Sequence, residues 1–514
     1  MLKNKIIRDT ILLTLMQLTL DSASLLLNGF ITRRLGASAI GIFSLMGSFL
    51  GLAGIISNGN AFLCTSRLIS EELGKKGGNP NRILFHGISL CMMLSIAVST
   101  VLIIFARPIG EGFFGETAVV SSIRLMPAAL ISGAVSCCLK GYFNACRKAS
   151  AAAAGDILEF GVKSAVIVIM TLLSPVHTQG TVCRIMVISI IAGNIASLIF
   201  MLILFAKNHM KSRNCGTLSF RDYAAFAFPI MGGGILTAVL SSANDALVPI
   251  CLRQYGDSME QALALFGIFE AIVIPTLFFP SVVLCSLSGM IVTESARASA
   301  SGNRERIQSI TSRLIRYTMI YGIFASAVLI RFGRPIGDLL GGGEQGGGMI
   351  SAIAPVVPFI YMEIVLEAMI KGMGLQAFSS LNYLIEYVIR ISIVLIFVPR
   401  FGFAGIAVSY YASNVLGNVL RLVKLLKHTG VRFRPLSMAA SPIVYSILTM
   451  SFAELVCKFL NIGGSNIFSM IFFILLWIIA YGGIYIISSI LTPKRQKKHS
   501  LFVQDNQISV PKVI

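Results

Sequence analysis

The chain is 514 residues long; 55% of it is apolar and only 12% is charged, about half the roughly 25% usual in soluble domains. Mean hydropathy is +0.83 and the formal net charge is +20. These figures exclude a disordered chain, a coiled coil and an ordinary soluble enzyme, and they make lipid the solvent for most of the sequence.

Fourteen apolar segments follow in chain order: Ile6–Phe30, Ala39–Cys64, Ile83–Phe105, Val119–Leu139, Ala151–Leu173, Val182–Phe205, Tyr223–Leu252, Ala262–Val292, Leu314–Ile330, Met349–Ile370, Phe378–Val398, Phe403–Leu426, Leu436–Phe459 and Ile467–Leu491. All are expected to be helices, because an open strand cannot satisfy its backbone in lipid. The first is too long, and lacks the small-residue cleavage site, for a removable leader. The ten Cys and five His form no CxxC, no HxxxH and no mixed cluster, so no metal site is expected, and the Cys read as small buried side chains. No Walker GxxxxGK[ST] and no GxSxG appears, so neither nucleotide hydrolysis nor a hydrolase elbow is visible, and no catalytic residue is assigned.

The positive charges orient the spans. With the N-terminus inside, 30 of the 42 Lys and Arg fall in cytoplasmic segments, Arg421 counted among them, and 10 fall in outer segments; Lys163 and Arg390 lie within spans. This is the positive-inside distribution with both termini cytoplasmic. It also accounts for the net charge without nucleic acid. The basic run Lys494–His499 reads as a cytoplasmic stop beside anionic lipid.

The chain repeats itself. Arg107-Pro-Ile-Gly-Glu111 recurs as Arg334-Pro-Ile-Gly-Asp338, and Glu159-x3-Lys163 recurs as Glu386-x3-Arg390, both 227 residues on. Pro127, thirteen residues before Lys140-Gly141, recurs as Pro358, thirteen before Lys371-Gly372. Spans 1–6 and 7–12 are therefore duplicated halves. Six is even, so the halves share one orientation and form parallel repeats. The expected architecture is all-α and polytopic, with two six-helix lobes in a V and two further C-terminal helices. Its boundaries are 1–220 for the first lobe, 221–430 for the second, 431–491 for spans 13 and 14, and 492–514 for a basic cytoplasmic tail. Two facing lobes leave a midplane cavity, the geometry of alternating access.

Arg34-Leu-Gly36, Gly41-Ile-Phe-Ser-Leu and Ser66-Arg-Leu-Ile-Ser-Glu-Glu-Leu73 resemble the second-span signature of the polysaccharide-flippase branch of the multidrug/oligosaccharidyl-lipid/polysaccharide (MOP) exporter superfamily. The resemblance runs over spans 1–12, and fourteen spans in about this length also suit that branch. It implies a monomeric, cofactor-free transporter in the bacterial cytoplasmic membrane. Such a transporter flips an undecaprenyl-linked oligosaccharide or a peptidoglycan precursor, in cell-wall, polysaccharide or sporulation biosynthesis, without ATP hydrolysis.

Charges within a bilayer are expensive and functional by default. Asp21, Asp156, Glu159, Asp245, Glu270, Glu363, Glu367 and Glu386 lie within spans, with Lys163 and Arg390. Glu159/Lys163 and Glu386/Arg390 are i,i+4 pairs with Glu first, the favourable order. They read either as self-neutralising pairs or as cavity residues. Glu363, Glu367 and Lys371, four apart, form one stripe down span 10. Together Glu159, Lys163, Glu270, Glu363, Glu367, Glu386 and Arg390 are the candidate substrate cavity. In superfamily members with a cation site, an acid on the first helix of a lobe meets an Asn/acid pair on the fifth. Asp245, Asn382 and Glu386 match this residue by residue, and Asp21 with Asp156 and Glu159 is a weaker first-lobe version. Their hard oxygens suit Na+, and a desolvated carboxylate suits a proton. Arg390 competes for Glu386. Gly341–Gly343 and Gly346–Gly348 read as close packing with a flexible outer loop, or as an outer gate.

Two further functions stay open. A MATE-type multidrug antiporter driven by Na+ or H+ suits the acidic interior, whereas that group stops at twelve spans. A membrane-embedded glycosyltransferase would need a large outer catalytic loop, which is absent, so an enzyme ranks last. The topology is directly testable: reporter fusions at Asp257 and His428 should read outside and inside respectively, and a common side for both would overturn it.

Overall fold

The computed structural model describes residues 2–73, 79–112, 119–174, 178–208, 218–300, 304–431, 435–460 and 467–491. The tail 492–514, with its basic run, lies outside the described residues. Among those described there is no strand, and each expected span is helical. Eleven helices are long and apolar enough to cross a membrane. Leu2–Leu35, Ala149–Leu173 and Phe403–Thr429 occupy the other three positions. The last two are more polar, carrying Asp156, Glu159 and Lys163, and Asn414, Asn418 and Arg421. The molecule is a polytopic all-α membrane protein.

Helix contacts in the two halves match. Spans 3 and 4, 2 and 4, 4 and 6, 5 and 6, and 1 and 5 pack together. So do spans 9 and 10, 8 and 10, 10 and 12, 11 and 12, and 7 and 11. Spans 13 (Pro435–Phe459) and 14 (Ile467–Leu491) pair with each other, and span 13 packs along span 9 (Arg304–Leu339). The only Trp of the chain anchors them. Trp477 is fully buried against Phe332 and Phe473, and its indole N–H donates to Ser446 O and Thr449 Oγ1 at 3.2 and 3.0 Å. A buried Trp needs such a partner.

Three spans are bent where the sequence permits it. Span 2 breaks at Gly59 and Asn60, both with left-handed backbone (φ 55° and 53°). Span 8 (Met259–Ala300) contains a single π turn at Phe269–Val273, followed by Pro275 and Pro280. Span 10 passes through a 3₁₀ turn at Ala354–Val356 around Pro355. The Gly-rich stretch is closely packed, as the first of its two readings expects. Gly341 and Gly343 make a tight left-handed turn (φ 82° and 60°), and Gly347 then lies against the backbone of Gly333 and Arg334 with no room for a Cβ.

The lobes meet at the end predicted to face outside. Gly41 of span 2 and Gly267 of span 8 touch backbone to backbone, and Gly29 sits on Leu340 O. Arg33 donates to Asp338 O and Leu339 O at 2.9 and 2.8 Å. These are last-turn carbonyls of span 9, at the negative end of its dipole, and Asp338 O also accepts from Gly341 N–H at 3.2 Å. Nearer the inner end, Asn60 Nδ2 donates to Ile230 O at 3.4 Å and Thr65 pairs with the Tyr223 hydroxyl at 2.9 Å. The outer seam leaves no space for a side chain, and overpacking costs about 1–3 kcal/mol. Gly267→Leu should therefore open the outer end. The cavity thiol Cys285 should then label with a membrane-impermeant maleimide added outside, which the parent protein should resist; equal labelling of both would refute a closed outer seam.

Candidate functional site

Within the second lobe lies a cavity of about 520 Å³ lined by Asp245, Glu270, Glu363, Glu367, Lys371, Glu386 and Arg390, with Asn244, Tyr383, Tyr387 and Tyr410. A second space of about 460 Å³ shares Ser241, Asp245 and Glu270 with it and is lined on the first-lobe side by Ser44, Ser48 and Lys163. Span 7 supplies Asn244 and Asp245, the π turn of span 8 supplies Glu270, span 12 supplies Tyr410, and spans 10 and 11 supply the rest.

The floor of the cavity is an ion network, and its centre is a residue that charge counting misplaces. Arg421 is not a cytoplasmic charge. It is fully buried, with its guanidinium 3.0 Å from Glu363, 3.4 Å from Glu367 and 3.2 Å from Glu386. It stacks over the Tyr383 ring at 4.7 Å. Glu367 also meets Lys371 at 3.1 Å and accepts from Ser379 Oγ. Glu386 meets Arg390 at 3.5 Å, and Arg390 Nε donates to Ser413 Oγ at 3.0 Å while facing the Tyr410 ring at 4.6 Å. Gly417 makes this possible: a Cβ there would lie 2.6 Å from Glu386 Oε2 and 3.1 Å from Arg421 Nη1. Asn414, Asn418 and Arg421 share one stripe of span 12, at i, i+4 and i+7. That polar stripe is the signal in the sequence that marks Arg421 as interior.

Several expected groupings do not form. Glu159 and Lys163 are not an ion pair. Lys140 takes both Asp156 and Glu159, each at 2.7 Å, and Glu159 lines neither space, whereas Lys163 lines the second one, between the lobes. Asp21 does not join Asp156. It accepts from Gln17 at 2.9 Å and lines a groove between spans 1 and 8. Asp245 and Glu386 line the same cavity, but Asn382 does not line it with them. Asn382 Nδ2 donates to Gly417 O at 3.2 Å, Glu386 is taken by two guanidiniums, and Asp245 accepts from Ser48 of the other lobe at 2.6 Å. The second-lobe stripe also has no first-lobe counterpart. At the spacing that relates Lys140 to Lys371, Glu363 and Glu367 correspond to Ser132 and Ser136.

Known proteins resemble this arrangement of lobes and cavity. The family model described as "Polysaccharide biosynthesis protein" matches residues 6–252. Stage V sporulation protein B of Bacillus subtilis (strain 168) is 20% identical over 469 residues, 89% of each chain. The lipid II flippase MurJ, in an inward closed conformation, superposes with a TM-score of 0.67 at 15% identity, over 94% of this chain and 98% of that one. An inward-facing multidrug resistance MATE family transporter of the MOP superfamily gives 0.59 at 14% identity, over 80% and 95%. The fold is that of the MOP-superfamily transporters. The MurJ match takes in a larger share of this chain than the MATE match does. The resemblance to stage V sporulation protein B holds along most of the sequence. Of the solved structures that share this fold, one is named as a lipid II flippase and another as a multidrug resistance transporter.

A buried ion cluster stands or falls as a unit, because removing one partner strands the others' charge, at about 3–5 kcal/mol. Arg421→Ala should lower the thermal midpoint in detergent markedly, and Arg421→Lys should restore little of it, since three carboxylates need the planar fork. A midpoint unchanged in Arg421→Ala would show that the cluster contributes nothing to the fold.

Proposed function

We propose that this protein flips a lipid-linked, pyrophosphate-bearing glycan, an undecaprenyl-linked oligosaccharide or peptidoglycan precursor, across the bacterial cytoplasmic membrane by alternating access. In this reading it spans the membrane fourteen times with both termini inside and works as a monomer without a cofactor. The observation that carries it is the cavity itself. It consists of two adjoining spaces, one within the second lobe that receives Arg390 and one between the lobes that receives Lys163, and they share Asp245 and Glu270. Phosphate oxygens suit both, and the planar fork of Arg suits them best. The likeness to MurJ, named as a lipid II flippase, and to stage V sporulation protein B supports the substrate class.

The acidic side of the same cavity favours a second reading, an antiporter of organic cations, in line with the likeness to MATE transporters. One comparison separates the two. A charge-assisted hydrogen bond is worth about 1.5–3 kcal/mol, so Arg390→Ala should slow flipping of a fluorescent lipid-linked oligosaccharide in vesicles by about tenfold or more. Glu363→Ala should cost less, because Arg421 keeps two other carboxylates. Transport abolished by Glu363→Ala and unaffected by Arg390→Ala would reject the flippase and leave the cation antiporter.

A further inference from the structure

We propose that the cavity within the second lobe is a carbohydrate subsite, which takes one or two uncharged pyranose rings of the glycan and turns acidic sugars away. This deepens the flippase reading by naming the head group, and rests on that reading only for the sugar's attachment to a lipid.

The first argument is three free phenols. Tyr383, Tyr387 and Tyr410 line the cavity, and none of their hydroxyls has a hydrogen-bond partner among the described residues. A tyrosine hydroxyl taken out of water usually finds one. Others in the same lobe do: Tyr321, Tyr361 and Tyr411 donate to Pro280 O, Leu277 O and Ala352 O at 2.6, 3.1 and 2.7 Å. The free three are nevertheless held in place. Arg390 lies 5.4 Å from the Tyr387 ring and 4.6 Å from the Tyr410 ring, and Arg421 lies 4.7 Å from the Tyr383 ring. Both guanidiniums are in turn fixed by carboxylates. The rings are therefore set before a ligand arrives, which lowers the cost of binding. A phenol both donates and accepts, as does each hydroxyl of a sugar.

The second argument is an orphaned acceptor. Asn244 is only 7% exposed and lines the same cavity, yet its Oδ1 has no hydrogen-bond partner. A buried acceptor left unpaired is costly. Together with the carboxylates it makes the lining rich in acceptors, so a neutral ligand that fills the space must bring several donors. Neighbouring hydroxyls on a pyranose ring do so, and the ring's C–H faces pack on aromatic side chains such as Phe278, which also lines the cavity.

The third argument is charge and size. Asp245, Glu270, Glu363, Glu367 and Glu386 line the cavity against Lys371 and Arg390, and Arg421 beneath makes three cations against five acids. An acidic sugar would add to that surplus where charge is poorly screened, and this repulsion discriminates against it. A hydroxyl adds no charge and donates to carboxylates in charge-assisted bonds. The volume of about 520 Å³ lies in the usual range of roughly 300–1,000 Å³ for small-molecule sites, which suits one or two rings and not a long chain. Lys163 lies in the adjoining space and draws the phosphate end towards the first lobe, so the head group is oriented with its sugar in the second.

The test is saturation-transfer NMR on the purified full-length protein in a detergent without a sugar head group, since a glycosidic detergent would compete. The probes are methyl β-glucoside, methyl β-N-acetylglucosaminide, methyl β-glucuronide and tetraphenylphosphonium. At least one of the two neutral glycosides should receive saturation, and the glucuronide should receive none at the same concentration. Tyr383→Phe, Tyr387→Phe and Tyr410→Phe each remove one hydroxyl and keep the ring. Each should weaken binding of the neutral sugar by about three- to tenfold, and the triple variant should lose it. Asn244→Leu should weaken it to a similar degree. Tyr317→Phe, at an exposed position of span 9, should change nothing. No lipid is needed, so the result is separate from the flipping assay. Sugar binding without flipping would keep the subsite and reject the flippase; flipping without sugar binding would reject the subsite alone. The proposal is overturned if neither neutral glycoside binds, if the glucuronide binds as well as they do, if binding survives the triple variant, or if tetraphenylphosphonium alone is bound.

Discussion

The second lobe is organised around one guanidinium placed where no water reaches it. Arg421 cannot lose its proton and cannot reach solvent, so its surroundings must supply negative charge, and Glu363, Glu367 and Glu386 do so from two neighbouring helices. Each of those carboxylates would be equally costly alone. The requirement spreads outward: Gly417 must lack a side chain for Glu386 to approach, Lys371 and Ser379 must complete Glu367, and Arg390 must complete Glu386. Spans 10, 11 and 12 are thereby fixed against one another by charge as well as by packing. The cavity rests on that rigid floor.

The two lobes solve the same packing problem with different chemistry. In the first, Lys140 gathers Asp156 and Glu159, while Ser132 and Ser136 bond within or between neighbouring helices. In the second, the matching stripe is carboxylate and its counter-charge comes from span 12. A duplicated scaffold thus presents an asymmetric interior: one lobe offers a single lysine, the other a network, with Asp245 and Glu270 between them. Such asymmetry lets one end of a substrate be distinguished from the other, and symmetric halves could not provide it.

The contact between lobes is of two physical kinds. At the outer seam glycines bring backbones together and Arg33 caps a helix end, so closure depends on shape and on dipoles. Deeper in, Ser48 and Asp245 join the lobes through a hydrogen bond whose acceptor carries a charge. The first kind is insensitive to ions. The second depends on whatever neutralises the carboxylate, and so gives the chemistry of the cavity a route to the position of the lobes.

The sequence by itself determined the solvent, the helices and the duplication. Apolar runs of membrane length admit only helices in lipid, and motifs recurring at a constant offset require two like-oriented halves. It also singled out the carboxylates, since charge within a span is conspicuous against an apolar background. It did not determine which charges meet. Lys163 follows Glu159 by one helical turn, yet Glu159 takes Lys140 from another helix; Asn382 and Glu386 match a cation-site pattern, yet Asn382 donates to Gly417 O and Glu386 meets Arg421, both on span 12. Arg421, near the end of its helix, reads as a cytoplasmic charge because depth in the bilayer is counted along the sequence, whereas exposure depends on what packs around it. Spacing along one helix fixes which side chains share a face. Only the crossing of helices from distant parts of the chain decides what that face meets, and buried charges obey their nearest partners in space.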